Sequence, residues 1–274
     1  MTQSIKELIL NRKSTRTFDG TPLNDEERDS IELYSQTLSN PFDVPIEFKL
    51  LDAKEHNLSS PVIIGANLYL AAKVTKVKNF EIGFGYSFEQ ACLFAESMGI
   101  GTVILAGTLS RSTFEKAMQV KDNEVMPAVT PIGHPAPKRS IRETLMRKGI
   151  KADERIPFEQ LFFSYGFDKP LEKEEAGIYS DALESVRWAP SAANKQPWRV
   201  VVAGNKVHFY EKKTVKESSL GDVQKVDIGI ALCHFDVTMQ EAGYFGRFFE
   251  EDPKLPLPAN TEYIVSYERI EERL

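Results

Sequence analysis

The chain has 274 residues, a formal net charge of −6, and 42% hydrophobic residues. This length fits one large domain or two of ordinary size, and the composition is typical of a globular protein with a sizeable core. The acidic balance disfavours nucleic acid as a partner, because phosphate binding needs a concentrated basic surface. No apolar run is long enough to predict a membrane span, and the N-terminus lacks the pattern of a signal peptide, so we expect a cytoplasmic protein.

The first half alternates helical and extended patterns. A helix capped by Ser4 and a second helix after Pro22 are expected first. The following patterns predict strands over 46–53 and 67–74, an amphipathic helix over 86–101 that ends at Gly99, a buried strand over 102–107, a short helix over 111–118, and a strand from 124 that leads into a Pro-rich turn. Cys92 and Cys233 lie in apolar surroundings, which indicates two buried thiols. A charged segment over 140–156 links to the second half.

The second half repeats the order of the first. The paired segments are Pro22-Leu23 with Pro170-Leu171, Ser39 and Pro45 with Ser191 and Pro197, Ile82-Gly83 with Ile228-Gly229, and "MPAVTPIGH" with "EYIVSYER". Four matches in a preserved order predict two equivalent folding units that were duplicated and fused, over 1–148 and 149–274.

A basic motif, "NRKSTRTFDG", follows the first helix. Cations at a helix C-terminus are explained by the helix dipole alone. However, Arg12 and Arg16 with Ser14 between them can converge on one phosphate through charge-assisted hydrogen bonds. The spacing therefore leaves two interpretations open, a helix end or a phosphate clamp.

A polar motif, "APSAANKQPWRVVV", runs into a predicted strand of the second half. Pro, Ser and Asn are common in turns, so a plain turn would explain part of it. The amides of Asn194 and Gln196 carry donors and acceptors together, which suits the edge of a heterocycle. The motif has no second copy in the chain.

Together the two motifs resemble the nitroreductase family of FMN-dependent oxidoreductases. Arg12, Ser14, Arg16 and Phe18 fit an R-x-S-x-R-x-F signature, residues 190–198 fit P-S-x-x-N-x-Q-P-W, and "PIGHPAPKR" fits a third block. The arrangement is similar to that of the single-chain "putative TM nitroreductase" subfamily. The resemblance implies an α+β fold of two tandem halves, each with a mostly antiparallel sheet and helices, which form an internal pseudo-dimer.

Family members are homodimers that hold each FMN between subunits. Here each half keeps the motif that the other lacks, so the resemblance implies one FMN per chain and an empty second site. The residues that it implies for FMN binding are Arg12, Lys13, Ser14, Arg16, Lys138 and Arg139 at the phosphate and pyrimidine ends, Ala106, Gly107 and Thr108 near flavin N5, and Pro190, Ser191, Asn194 and Gln196 from the other half. Arg16 would also stabilise the reduced flavin.

The implied activity is reduction of FMN by NAD(P)H, followed by reduction of a small electrophile such as a nitroaromatic or a quinone. Dehydrogenation, dehalogenation, and FMN binding without turnover stay open as alternatives. The four histidines have no metal-binding spacing, so no metal is expected, and His234 is interpreted as a helix-packing residue. An internal pseudo-dimer favours a monomer. The loop over 248–263 is interpreted as a surface connection, with cover over the flavin as the alternative.

Overall fold

A computed structural model describes residues 3–270 of the chain. The first half contains five helices and five strands: α1 (Ile5–Asn11), α2 (Asp25–Thr37), β1 (Ile46–Asp52), β2 (Leu68–Thr75), α3 (Phe80–Ser97), β3 (Gly101–Thr102), α4 (Arg111–Ala117), β4 (Glu124–Val125), β5 (Val129–Gly133) and α5 (Ile141–Gly149). The sheet has the order β1-β2-β5-β3, β4 pairs with β2, and all its pairings are antiparallel.

The second half builds a second five-stranded sheet. Its elements are α6 (Phe158–Leu161), β6 (Phe162–Ser164), α7 (Ser180–Trp188), β7 (Trp198–Ala203), β8 (Lys206–Lys212), α8 (Val223–Glu241), β9 (Gly246–Phe249) and β10 (Thr261–Arg269), with short 3₁₀ turns at 173–175, 177–179 and 192–194. The strand order is β6-β7-β8-β10-β9, and only the β6–β7 pairing is parallel. Two tandem α+β halves with mostly antiparallel sheets confirm the expected fold class.

The predicted helix starts are present at both positions. Ser4 and Asn24 each accept a hydrogen bond from the backbone N–H three residues on, and a Glu at that position reaches back to the cap residue. Such capping boxes satisfy backbone donors that a helix start leaves without partners, so residues close in sequence determine where each helix starts.

Two long helices, α3 and α8, cross at the centre of the molecule. Helix α3 starts at Phe80, six residues before the predicted start, and most of its side chains are buried on every side. The prediction of an amphipathic helix was therefore wrong, because α3 packs against its own sheet on one side and against α8 on the other.

Glycines allow the two helices to touch backbone to backbone. A Cβ atom added to Gly85 would lie 2.1 Å from the carbonyl oxygen of Val226, and one added to Gly229 would lie 2.1 Å from that of Ile82. The two contacts are reciprocal, as across a twofold axis, with Gly85 equivalent to Gly229 and Ile82 equivalent to Val226. Each α3 residue is therefore equivalent to the α8 residue 144 positions later. The sequence alignment of Ile82-Gly83 with Ile228-Gly229 was therefore wrong by two residues.

The largest hydrophobic core continues from one half into the other. It includes Phe84 and Phe88 on α3, and Phe209 and Phe235 in the second half, with Cys92 and Cys233 buried among them as free thiols. The proposed boundary between residues 148 and 149 lies at the last turn of α5. Within residues 3–270 we find no helix whose length and hydropathy would let it cross a bilayer.

Candidate active site between the halves

A cavity of about 730 Å³ lies where the two halves meet, and both sequence motifs line it. Its walls include ten of the thirteen predicted site residues: Arg12, Lys13, Ser14, Arg16, Ala106, Gly107, Thr108, Pro190, Ser191 and Asn194. Residues almost 180 positions apart in the chain therefore line one cavity. The other three predicted residues, Lys138, Arg139 and Gln196, are not among those that line it.

The basic motif leaves helix α1 and runs along the edge of the first sheet. Arg12 is the residue after the helix, and Ser14 forms an isolated β-bridge with Thr102. The bridge holds the motif in an extended conformation, so that alternate side chains take different directions. The tertiary pairing, rather than the helix end, positions these side chains.

Arg12 is held by a buried ion pair within the first half, and a histidine of the second half contacts the same carboxylate. Its Nε lies 3.1 Å from Oε1 of Glu89, which also lies 2.8 Å from Nε2 of His234 on α8. Nδ1 of His234 lies 2.9 Å from the Ser185 carbonyl oxygen. Burial by itself would raise the pKa of Glu89, but the charge of Arg12 and the His234 hydrogen bond outweigh it and hold the pKa below its ordinary value. His234 thus has the predicted helix-packing role and orients Arg12 through Glu89.

Arg16 presents guanidinium atoms that have no partner in the described part of the chain. Its Nε and Nη1 are buried, and neither makes a hydrogen bond within residues 3–270. Burial lowers the pKa of Arg16, with Glu143 opposing and Arg147 adding to the shift. Since buried donors in folded proteins are nearly always satisfied, this guanidinium indicates an anionic or acceptor-rich ligand.

Residues 102–107 were predicted as a buried strand, but the strand ends at Thr102. Val103 donates its backbone N–H to the side chain of Thr130, and Leu105 returns to the sheet only through an isolated bridge with Val129. The Arg111 guanidinium then binds the carbonyl oxygens of Ala106 and Met126. With the Ala106 carbonyl bound to Arg111, this segment leaves the ladder and lines the cavity.

The polar loop of the second half has strained backbone. Ala193, Asn194 and Gln196 have φ angles of 49°, 56° and 49°, in the left-handed region that residues other than glycine seldom adopt. Ser191 Oγ accepts from the Gln196 N–H at 2.9 Å, and the Ala192 N–H donates to both carboxyl oxygens of Asp227 at 3.0 and 3.1 Å. These bonds fix the shape of the loop.

Gln196 supports the loop instead of lining the cavity. Its side chain is only 3% exposed, and its Oε1 accepts the Ile156 N–H at 2.9 Å. The prediction that Gln196 contacts a ligand is corrected on this point. Asn194 does line the cavity, but its Nδ2 donates to the carbonyl oxygens of Lys151 and Glu154 at 2.7 and 3.0 Å. Its amide donors therefore hold the segment that links the halves.

Lys138 and Arg139 line a neighbouring cavity of about 550 Å³. Lys13 and Ser14 line both cavities, so the two adjoin at the basic motif. Arg139 Nε lies 3.6 Å from the Glu143 carboxylate. The cations predicted for a phosphate thus surround a junction between a large cavity and a smaller one.

Several residues that line the large cavity were not predicted. Arg147 and Arg155 come from the segment interpreted as a charged linker, and Asp227 comes from α8. Burial raises the pKa of Asp227 well above its ordinary value, and the charges of Asp222 and Glu211 add to this, while the Ala192 hydrogen bond opposes it. Alternation of charge in "RETLMRKGIKADER" looks like any solvated helix, so no local signal marks these two arginines.

The loop that covers the cavity also differs from the one considered from sequence. Val215, Lys216, Ser218 and residues 220–223 line it, whereas none of residues 248–263 does. Among the described residues, no group of three or more His, Cys, Asp or Glu side chains is arranged to hold a metal ion.

The fold of two tandem halves, each with its own sheet, matches that of a solved putative nitroreductase. The chain belongs to the family described as "Putative TM nitroreductase", whose model matches residues 4–239, and this confirms the resemblance. Family membership places the chain among oxidoreductases.

Solved structures similar to this chain include a "putative nitroreductase" from Thermotoga maritima, which is 21% identical, with a TM-score of 0.64 and coverage of 98% of this chain and 94% of its own. A "putative NADH dehydrogenase/NAD(P)H nitroreductase" from Bacteroides thetaiotaomicron is 22% identical over 51% of this chain and 91% of its own, with a TM-score of 0.43. An "FMN-dependent nitroreductase" from Clostridium difficile is 14% identical over 48% and 88%, with a TM-score of 0.42. No curated protein matches the chain.

Proposed function

We propose that this protein is an FMN-dependent oxidoreductase that uses NAD(P)H to reduce a small electrophile such as a nitroaromatic or a quinone. One observation carries the proposal: the basic motif of one half and the polar loop of the other line a single cavity, where Arg16 has buried donors that find no partner among residues 3–270. The cavity volume of about 730 Å³ falls within the range of cofactor and substrate pockets. The residues present therefore fit FMN.

The cationic end of the site would hold the phosphate. Lys13 and Ser14, at the junction of the two cavities, are the residues best placed for this role, with Lys138 and Arg139 on the adjoining wall. A phosphate carries nearly two negative charges at neutral pH and three acceptor oxygens, so a group of cations and a hydroxyl matches it.

When bound, FMN supplies hydride chemistry between a reduced dinucleotide and an acceptor. Arg16 offers a fixed positive charge in a buried site, where charge stabilisation is stronger than in water. Ala106, Gly107 and Thr108 line the cavity and have small side chains or none, which would let their backbone approach the ring closely. We assign the orientation of the ring to this segment and to Pro190 and Ser191. Two substrates that use one cavity in turn would give ping-pong kinetics.

The first test is the visible spectrum of the purified protein and its FMN-to-chain ratio after saturation with FMN. We expect one FMN per chain and bleaching on addition of NADH or NADPH. Two FMN per chain would overturn the assignment of a single site. FMN binding without bleaching by either dinucleotide would favour a binding protein without turnover, and bleaching without reduction of a nitroaromatic or quinone would favour dehydrogenation or dehalogenation on the same fold.

A paired variant tests the assignment of Arg16. Arg16→Ala removes charge-assisted hydrogen bonds worth about 1.5–3 kcal/mol each, so FMN affinity should fall by at least tenfold. Lys212→Ala removes an exposed cation from the end of β8 and should leave FMN affinity unchanged. Equal FMN dissociation constants for the two variants would show that Arg16 does not contact the cofactor. We also propose that the protein acts as a monomer.

A further inference from the structure

We propose that Arg155 and Trp188 form a subsite for the oxyanion of the electron acceptor, so that the protein prefers acceptors that carry a carboxylate. The inference rests on the proposed function, because the acceptor would share the cavity with FMN. Both residues line the large cavity, and neither belongs to the motifs that mark the cofactor site.

The Arg155 side chain is held in one position. Its guanidinium carbon lies 4.7 Å from the centre of the Trp188 ring, in a cation–π contact. Its Nη1 donates to the carbonyl oxygens of Ala152 and Glu154 at 2.9 and 2.8 Å. The Asn194 side chain holds the same segment by bonding to the carbonyl oxygen of Glu154. A guanidinium fixed in this way loses little further freedom when it binds a planar anion.

The same guanidinium keeps a donor without a partner. Arg155 Nε is buried and makes no hydrogen bond within residues 3–270. Burial lowers the pKa of Arg155 to about 10, and the nearby charges of Arg12, Arg187 and Arg147 contribute, while Asp153 opposes them. The surroundings therefore disfavour the positive charge, and an anion beside Arg155 would relieve this.

Three other arginines near the cavity already have acidic partners, and Arg16 is assigned to the cofactor. Arg12 pairs with Glu89, Arg147 with Asp153, and Arg187 with Glu184. Arg155 makes no such ion pair within the described part of the chain. Among residues 3–270, Arg155 is therefore the arginine of this cavity that has neither an acidic partner nor a role assigned at the cofactor.

The cofactor phosphate would not use this cation under the proposed assignment. The junction with the smaller cavity lies at Lys13 and Ser14, on the first half, whereas Trp188 belongs to α7 of the second half. Lys13, Lys138 and Arg139 around the junction supply enough positive charge for one phosphate, and Arg16 is assigned to the flavin, so neither role needs Arg155. A single carboxylate matches the single remaining guanidinium, since arginine binds this group through paired hydrogen bonds.

The test compares two acceptors of similar shape and different charge, 4-nitrobenzoate and 4-nitrobenzyl alcohol, with the FMN-loaded protein. Arg155→Gln should lower kcat/KM for 4-nitrobenzoate by about 10- to 100-fold and should change that for the alcohol by less than about threefold. Arg155→Lys, which keeps the charge, should retain part of the preference. Arg142→Gln, the same change at an exposed arginine of α5, should change neither value.

Three results would overturn the subsite. Equal losses with both acceptors would mean that Arg155 only supports the loop. A larger FMN dissociation constant in Arg155→Gln would assign Arg155 to the cofactor site. A selective loss of kcat/KM for NADH, with the acceptor preference unchanged, would assign it to the dinucleotide phosphates.

A binding measurement separates failure of the subsite from failure of the proposed function. Benzoate and benzyl alcohol are titrated into the oxidised, FMN-saturated protein while the flavin spectrum and tryptophan fluorescence are recorded. Trp188 lines the cavity and Trp198 is fully buried elsewhere, so a ligand at the subsite should change the fluorescence of Trp188. Tighter binding of benzoate that is lost in Arg155→Gln supports the subsite even without turnover, and equal binding of both compounds refutes it.

Discussion

The crossing of α3 and α8 makes a sharp prediction for Gly85→Ala. The new Cβ would lie 2.1 Å from the Val226 carbonyl oxygen, whereas a carbon–oxygen contact needs about 3.3 Å. Because the obstacle is backbone, the two helices must separate by about 1 Å. Overpacking of this kind costs about 1–3 kcal/mol, more than the gain of about 1 kcal/mol in helix propensity from replacing glycine by alanine. Because no flexible side chain can move aside instead, the cost lies at the upper end of that range, about 3 kcal/mol, and we expect a net loss of about 2 kcal/mol in the free energy of unfolding.

Urea unfolding followed by far-UV circular dichroism measures this loss. Gly149→Ala is the matched control, because Gly149 is the last residue of α5 and an added Cβ would meet nothing within 4 Å. The control should be as stable as the wild type or slightly more so. Since both halves line the cavity, Gly85→Ala should also weaken FMN binding. Equal urea midpoints for the two variants would refute the close approach of the helices and the twofold relation drawn from it.

Two further predictions concern a buried carboxylate and the polar loop. Burial, followed by the charge of Asp222, raises the pKa of Glu211 to about 8, so the folded state binds this proton more tightly than the unfolded state. The stability that this proton contributes is fully present below about pH 4 and is lost as the pH rises through 8. In urea unfolding, Glu211→Gln should therefore gain a few kcal/mol over the wild type in the free energy of unfolding between pH 5 and pH 8. A difference between the two proteins that does not change with pH would contradict this. Asn194→Ala removes the hydrogen bonds to the carbonyl oxygens of Lys151 and Glu154. It should weaken FMN binding about tenfold and increase proteolysis of the segment that contains these two residues. If FMN affinity and proteolysis were both unchanged, the polar loop would not depend on these hydrogen bonds.

Local patterns predicted the features that neighbouring residues control. The capping boxes at Ser4 and Asn24 fixed two helix starts, because the bonded groups lie three residues apart. Period-two and apolar patterns located β1 and β2 to within one or two residues. The motifs identified the family, and the resemblance to it implied ten of the residues that line the cavity.

Local patterns failed where contacts between distant segments decide the structure. The strand expected over 102–107 ends early because the Val103 N–H donates to the Thr130 side chain instead of a backbone carbonyl, and most of α3 is buried because α8 covers the side that its own sheet does not. Gln196 supports the polar loop because its amide oxygen accepts a hydrogen bond from the Ile156 N–H, a contact that the sequence alone does not indicate.

The amino-acid sequence by itself therefore determined the class of fold, the tandem order of the halves and the two motifs. Only the tertiary structure decided which charges share a cavity. Arg155 and Asp227 are more than 70 positions apart and belong to no motif, yet both line the site with Arg16. The physical reason is that periodicity and capping act over a few residues, whereas the site is formed by packing of two halves across a helix crossing whose close contact depends on Gly85 and Gly229.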